Sequence, residues 1–429
     1  MVALLGLAAF RFVTAGAGPS PAGEPASPAR LDSAATLQRL EAEVREQPDS
    51  ARSWSQLAQS ALARHQQTLD PAFLVRARAA TERALKLEAD QPDATLTLGA
   101  VLLSEHRFSE ALDQGRRAVE LLPGSATALG ISVDALVELG RYREAVEASQ
   151  DMVDAEPGAA SYSRVSYLRE LHGDTEGALR SMRQALVAAT EPGADAALNT
   201  FVGDLHRNRG ELDAARRAYG EALRKVEGHP LATLGLARVE VRSGDLTGAR
   251  RRLEALTTRI PTAPAVALLG DVLALSGDQP AAEGQYELVR SIEALSQANG
   301  IKVDLELATF EAGHPESTPA TGPRPDAVAM ANAALSERPN VFASDTLAWA
   351  LRGAGRSAEA LEPARAAVAL STQRSSFWWH LAAIEADLGM TAEARGHLQQ
   401  AFAMGADFEP LEVGQAEALA ARLGINPRT

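Results

Sequence analysis

The chain of 429 residues contains no cysteine, which excludes disulfide staples, thiolate zinc sites and cysteine nucleophiles. Aromatics make up only 4%, and lysine occurs only at Lys86, Lys225 and Lys302, so arginine carries nearly all the positive charge. Scarce lysine beside abundant alanine reads as the codon usage of a GC-rich bacterium. No basic block exceeds Arg250, Arg251 and Arg252, and the formal net charge is −14. A nucleic-acid binder needs dense positive charge to displace counterions from phosphates, so DNA and RNA are not expected partners. Beyond Arg30 no apolar run reaches the roughly 20 residues of a membrane-crossing helix.

What is present is 46% hydrophobic and 23% charged, enough apolar material for a large folded body. Length alone suggests about three domains, unless a repeating unit lets one architecture extend without a single growing core. The first seventeen residues differ from the rest. Met1 to Phe10 are almost wholly apolar, Arg11 interrupts, and Ala15-Gly16-Ala17 fits a small-residue cleavage site, although a basic start is missing. Residues 1–17 are therefore read as a signal peptide or a truncated membrane anchor. Residues 18–30 form a Pro/Ala/Gly-rich linker, and the expected location is extracytoplasmic, exported or membrane-associated at the amino end.

From residue 51 to 408 the chain repeats. Alignment on its Gly-Asp, Gly-Arg and Gly-Glu turns gives a unit of about 34 residues, the length of two antiparallel helices and a tight turn. One copy runs Pro92 to Ser125, with Leu98-Gly99, Ala111, Ala118 and Pro123 at unit positions 7, 8, 20, 27 and 32; the next runs Ala126 to Ala159, with Gly140, Ala145 and Pro157 at 15, 20 and 32. The register returns with Gly173, Ala178 and Ala185, with Gly203, Gly210, Ala215 and Ala222, with Ala237, Gly244 and Ala249, and with Gly270, Gly277 and Ala282. It continues through Ala348, Gly355 and Ala360, and through Ala382, Gly389 and Ala394. Two degenerate copies, around Leu57-Ala58 and Leu307-Ala308, bring the array to about ten units.

This pattern resembles the tetratricopeptide repeat family, whose units carry small residues at positions 8, 20 and 27 and often Pro at 32. The resemblance implies an all-α fold, an α-solenoid built as a right-handed superhelix of about ten helix-turn-helix units. Single helices would cap it at residues 31–50 and 409–429, where exposed apolar faces need covering. Three places depart from the pattern: Arg64 to Asp70, Thr190 to Asp195, and the Pro/Thr/Gly-rich stretch Pro315 to Asp326. The last is the expected mobile loop.

Catalytic motifs are missing. There is no phosphate-cradling loop, nucleophile elbow or H-E-x-x-H helix, and no cofactor or metal site is expected. Glu311-x-x-His314 has metal-like spacing, but a carboxylate di-metal site needs several further carboxylates from neighbouring helices.

In the family, positions 2, 5, 9, 12 and 13 of each first helix line a concave groove that binds peptides or partner segments. Carried over, this points to Tyr167, Asp204, Arg207, Asn208, Arg238, Arg242, Asp271, Trp349, Arg352 and Trp379, with Asp134 and Glu170 beside them. Tyr, Trp and Arg are also the types most enriched in binding hot spots. The carboxylate clamp of chaperone-binding members, with Lys at 5 and Asn at 9, is not reproduced, since those positions hold Leu96 and Ala100, Gly130 and Asp134, Ser163 and Tyr167, and Thr200 and Asp204. The arginine cluster Arg207, Arg238 and Arg242 suits an acidic segment instead, because guanidinium presents a fork of donors to carboxylates. The expectation is a non-enzymatic scaffold that holds a partner protein or peptide in this groove during assembly of a multiprotein complex. The competing readings are a cytoplasmic regulator or co-chaperone, and an enzyme or metal-dependent protein with a groove site.

Overall fold

The structure, a computed structural model, describes residues 34–320 and 322–426. The signal or anchor expected at 1–17 and the linker at 18–30 lie outside the described residues. Among the described residues there are 22 helices and no strand, an all-α solenoid. Helix α1 (Ala34–Glu46) is followed by ten consecutive helix pairs. They are α2 (Ala51–Thr68) with α3 (Pro71–Leu87), α4 (Pro92–Ser104) with α5 (Phe108–Leu121), α6 (Ala126–Glu138) with α7 (Tyr142–Ala155), α8 (Ala159–Leu171) with α9 (Thr175–Ala188), and α10 (Pro192–Asn208) with α11 (Leu212–Lys225). The remainder are α12 (Pro230–Arg242) with α13 (Leu246–Arg259), α14 (Ala263–Leu275) with α15 (Gln279–Ala298), α16 (Asp304–Gly313) with α17 (Ala327–Glu337), α18 (Val341–Gly353) with α19 (Ser357–Ala367), and α20 (Ser375–Asp387) with α21 (Thr391–Ala403). A last helix, α22 (Val413–Arg422), closes the series. No helix among the described residues is long and apolar enough to cross a membrane.

Two compact units divide the chain. The first runs to residue 165 and includes 295–302; the second comprises 166–294 with 303 onward. Within each, the local chemistry explains where helices start and stop. Ser50, Asp70, Ser125, Asp174 and Asp245 are N-caps whose side chains accept from backbone N–H groups of the first turn, satisfying donors that the helix itself leaves free. Position 15 ends the first helix of a pair with a left-handed residue, as at Gly140 (φ 66°) and Gly277 (φ 83°), a conformation open to glycine because it has no Cβ. In the α4–α5 turn this position is His106 (φ 57°). Its ring stacks on Phe108 at 5.6 Å and its Nδ1 lies 2.7 Å from the Lys302 carbonyl, contacts a glycine could not make.

The small residues sit at the helix crossings. Ala58, Ala111, Ala118, Ala145, Ala215, Ala222, Ala237, Ala249, Ala282, Ala348, Ala360, Ala382 and Ala394 are all fully buried, as expected where axes approach to about 8–10 Å. Position 8 has a second purpose in two pairs. A Cβ added at Gly203 or Gly235 would overlap the Tyr219 ring, and one at Gly270 would overlap Tyr286. The missing side chain lets a tyrosine from the second helix reach past the first.

The departures from the repeat are absorbed mostly as helix. The insertion at Arg64 to Asp70 extends α2 to Thr68, and the Thr190 to Asp195 spacer becomes the first turn of α10. The described residues of the stretch Pro315 to Asp326 form no helix, as expected of a loop, and several make contacts with their neighbours. Arg324 donates to the Glu311 carboxylate at 2.9 Å and to the carbonyl of His314 at 3.0 Å. Ser317 donates to Glu283 at 2.8 Å, and the Ala320 N–H to Glu287 at 3.2 Å. Composition marks this segment as irregular, and Arg324, aimed at the fully buried Glu311, ties it to α16, while Ser317 and the Ala320 N–H tie it to α15.

Ala145→Leu is expected to cost about 1–3 kcal/mol by overpacking this crossing. Glu147→Leu, two residues on and exposed, is expected to leave stability nearly unchanged. Equal thermal midpoints for the two variants would contradict the register.

Candidate partner-binding surface

All ten groove candidates belong to the second unit, where they lie on the first helices of successive pairs: Tyr167 on α8, Asp204, Arg207 and Asn208 on α10, Arg238 and Arg242 on α12, Asp271 on α14, Trp349 and Arg352 on α18, and Trp379 on α20. The structure brings Asp204, Arg207, Asn208, Arg238 and Arg242 together, sets Asp271 beside Tyr286 and His314, and gathers Trp349 and Trp379 around His380 and Glu412; Tyr167 is half-buried on α8.

The arginine cluster is occupied. Arg207 pairs with Asp407, and Arg242 reaches the same carboxylate at 3.3 Å while also donating to the Gly405 carbonyl. Arg238 meets Glu409 at 3.4 Å. The Asp407 N–H donates to Ser375 Oγ at 2.7 Å. Gly405 lies with its backbone against the backbone of Arg209 and Gly210, so closely that a Cβ on Gly405 would overlap it. An acidic segment from the end of the chain therefore fills the surface that sequence reasoning assigned to an acidic partner. Alongside it, Asn208 donates to Glu170 at 2.8 Å and Arg374 lies 3.7 Å from the same carboxylate. Burial raises the Glu170 pKa, opposed by Arg374. Burial likewise raises Asp204, opposed by Arg207, which lies 3.7 Å away; burial also lowers Arg242.

Asp204 and Asp271 have a shared local role. Each accepts a hydrogen bond from the tyrosine that passes the position-8 glycine: Tyr219 to Asp204 at 2.7 Å and Tyr286 to Asp271 at 3.1 Å. Asp271 also faces His314 Nε2 at 2.8 Å. The Glu311 carboxylate is held by Arg290 and Arg324, so Glu311 and His314 point to different partners. No group of three or more His, Asp or Glu among the described residues is arranged to hold a metal.

The tryptophans belong to a buried polar knot. Trp379 is 1% exposed, a core residue, and its indole N–H donates to Glu412 at 3.1 Å. Trp349 stacks on His380 at 4.0 Å between centroids and 15° between planes, and Arg352 lies 4.7 Å from its centroid while bonding Asp387 at 2.9 Å. His380 bridges Asp345 at 2.9 Å and Glu412 at 3.1 Å. Burial works against its charge, but the two carboxylates outweigh it and push its pKa up to about 10. In the first unit, Asp134 receives both arms of the buried Arg164 guanidinium at 2.9 and 2.7 Å. Sequence reasoning missed Asp407, Glu409, Glu412, His380 and Arg374. The available signal was the Gly405-Ala406-Asp407-Phe408-Glu409 stretch, acidic and irregular just after the last repeat.

The tetratricopeptide repeat family matches the chain over residues 206–272 and again over 76–126. Two curated relatives are similar to it. The cellulose synthase operon protein C of Pseudomonas fluorescens is 24% identical over 261 residues, 59% of this chain and 18% of the relative. The cellulose synthase 1 operon protein C of Komagataeibacter xylinus is 28% identical over 166 residues, 37% of this chain and 12% of the relative. The chain thus spans less than a fifth of the length of the curated relatives it matches. A solved tetratricopeptide repeat protein from Parabacteroides merdae is 17% identical with a TM-score of 0.41, covering 56% of this chain and 96% of that one.

His380 sets a pH expectation. Its unfolded pKa lies near 6.5 and its folded value near 10, so its stabilisation is complete below about 6.5 and is lost as pH rises through about 10. Between those limits the folded state holds one proton more than the unfolded state, and stability falls by up to about 1.4 kcal/mol per pH unit from this group. His380→Gln should flatten that slope in urea midpoints taken from pH 6.5 to 9.5; an unchanged slope would remove His380 as its source.

Proposed function

We propose, from the premise that the chain is a tetratricopeptide-repeat protein, that it works as a non-enzymatic scaffold. Its first helices present a surface that grips a segment of a partner protein and so supports assembly of a multiprotein complex. The observation that carries this reading is that Arg207, Arg238 and Arg242 already grip a stretch of polypeptide through Asp407 and Glu409. A surface that recognises one acidic stretch by charge and backbone contact has the donors needed to recognise another. His380 is engaged by Asp345 and Glu412, Tyr219 by Asp204 and Tyr286 by Asp271, all intramolecular partners of structural kind. Such closed pairs fix positions, whereas a catalytic acid, base or nucleophile must face a substrate.

The two curated relatives are named for cellulose synthase operons. Carried to this chain as part of the proposal, those names suit an accessory that holds components of a synthesis machinery together.

The test is site-specific photo-crosslinking in cells of the source bacterium, with the photoreactive residue at Arg352 on a first helix or at Val187, which is 89% exposed on a second helix. Partner adducts should form from Arg352 and not from Val187, and an Arg238→Glu, Arg242→Glu double variant should lower partner recovery. Adducts confined to Val187 would refute the assignment of the binding face.

A further inference from the structure

The end of the second unit meets its beginning along a polar clasp. On one side are Glu170 and Leu171 at the end of α8 with Gly173 just beyond it, Arg207 on α10 with Gly210 just beyond it, and Arg238 and Arg242 on α12. On the other are the connection between α19 and α20, residues 368–374, and the segment Gly405–Glu412. Thr372 donates to the Leu171 carbonyl at 2.7 Å across 201 residues of sequence, and Asp407 meets Arg207 across 200. Two apolar clusters flank the clasp without sharing a residue. One contains Leu236, Val239 and Tyr219; another contains Trp379, Phe408 and Leu419. Phe408, between the two clasp carboxylates, packs towards its own side, 6.0 Å from Trp379 and 5.5 Å from Phe402 between centroids. The polar contacts that cross come from charged groups, a hydroxyl and backbone, and the Glu409 side chain is 45% exposed.

This composition matters because the partly exposed Arg238–Glu409 pair contributes only about 0–1 kcal/mol and weakens with salt, while the Arg207–Asp407 pair, largely removed from water, gives up much of its attraction to desolvation. Burial of apolar area, which holds each helix pair to the next, is much stronger. The clasp is thus a contact of a different kind from the stack: specific in its charge pattern and weak in its hold. Its arginines are not tied to their carboxylates alone. Arg242 also donates to the Arg207 carbonyl at 3.0 Å, and Arg207 lies 3.7 Å from Asp204, so the donor surface keeps its shape when the segment leaves.

We propose that the Arg207, Arg238 and Arg242 surface is the docking site of an acidic partner segment carrying two carboxylates two residues apart, that Asp407 and Glu409 occupy it in cis, and that partner binding opens the clasp. This rests on the scaffold reading above and adds the chemistry of the partner and its competitor. A trans segment then gains access only in molecules whose clasp is open, and its apparent affinity is reduced by that fraction. Weakening the cis occupant raises the affinity without touching the arginines.

The experiment uses the full chain and a fluorescent peptide of its own sequence, Met404 to Leu411, with a matched peptide in which Asp and Glu are replaced by Asn and Gln. In fluorescence anisotropy at low salt, the Asp407→Asn, Glu409→Gln protein should bind the acidic peptide at least about tenfold more tightly than the wild type. Adding Arg238→Glu should abolish that binding, and the neutral peptide should not bind. Equal affinity of wild type and clasp variant, or equal binding of the two peptides, would overturn the proposal.

Circular dichroism establishes that the clasp variant is folded. If it is not, hydrogen exchange on the wild type decides. Amides of residues 405–412 exchanging faster than those of α14 and α18, and slowing when the acidic peptide is added, support the clasp; exchange as slow as in those helices overturns it. A clasp variant that dimerises with rising concentration, as an exchanged carboxyl-terminal segment would cause, also overturns it in favour of a second copy as occupant. If the photo-crosslinked partner is captured equally by wild type and clasp variant, the scaffold reading stands and the cis competitor falls.

Discussion

How closely two helices approach, within about 8–10 Å between axes, is set by the side chains at the crossing, and the small residues there are the constraint on which the rest of this chain depends. Alanine meets it at most crossings. Where glycine meets it, at Gly203 and Gly270, the consequence extends beyond packing. The space left by the absent Cβ admits the ring of Tyr219 or Tyr286, whose hydroxyl then donates to Asp204 or Asp271 on the inner side. A steric rule in the apolar layer thus orients a carboxylate in the polar layer. Asp204 in turn stands beside Arg207, so the charge pattern of the binding surface is anchored, through one tyrosine, to the helix crossing beneath it.

The charges buried beside these crossings serve position more than stability. Arg164 with Asp134, Arg338 with Glu306, and Arg290 with Glu311 are all largely removed from water. Desolvation consumes much of what such pairs gain, and apolar replacements of similar shape are often neutral or better. In an array whose alanine-rich interfaces resemble one another, a slipped register would bury nearly the same apolar area. An arginine that must meet one particular carboxylate penalises the slip, because the misplaced charge would be buried without a partner. Each of these pairs joins neighbouring helices of the stack: α6 to α8, α16 to α17, and α15 to α16.

What could be read from the sequence follows from the range of the interactions. The small residues recur at a fixed interval, so the helix pairs, their turns and the inward-facing positions were legible from spacing alone. Gly140 and Gly277 took the left-handed conformation expected of them. Trp379 shows the limit: its unit position places it on the inner side, but the α20–α22 layer covers it and leaves it 1% exposed. The stretch around Ser317 and Arg324 shows another. Its composition is that of a free loop, and the residues that tether it, Arg324, Ser317 and the Ala320 N–H, have no periodic signature. Asp407 is a harder case still, since nothing local relates it to a partner 200 residues earlier; only the accumulated rotation of the intervening pairs brings them together.

That accumulated rotation also explains why a few polar contacts suffice for the clasp. In an unfolded chain, closing a loop of about 200 residues would require several kcal/mol of entropy by the logarithmic law for flexible loops. Here the seven helix pairs between α8 and α21 have already been fixed by nearest-neighbour stacking, and that stacking has borne the ordering cost before the ends meet. The clasp need only offset the small elastic misfit left over when the ends approach. A contact formed under those conditions is free to be polar, with glycine backbone at its closest point and no apolar core of its own. Its weakness does not endanger the fold, because the stack persists without it. The same separation of tasks lets the surface under the clasp evolve towards a ligand while the crossings beneath it stay unchanged.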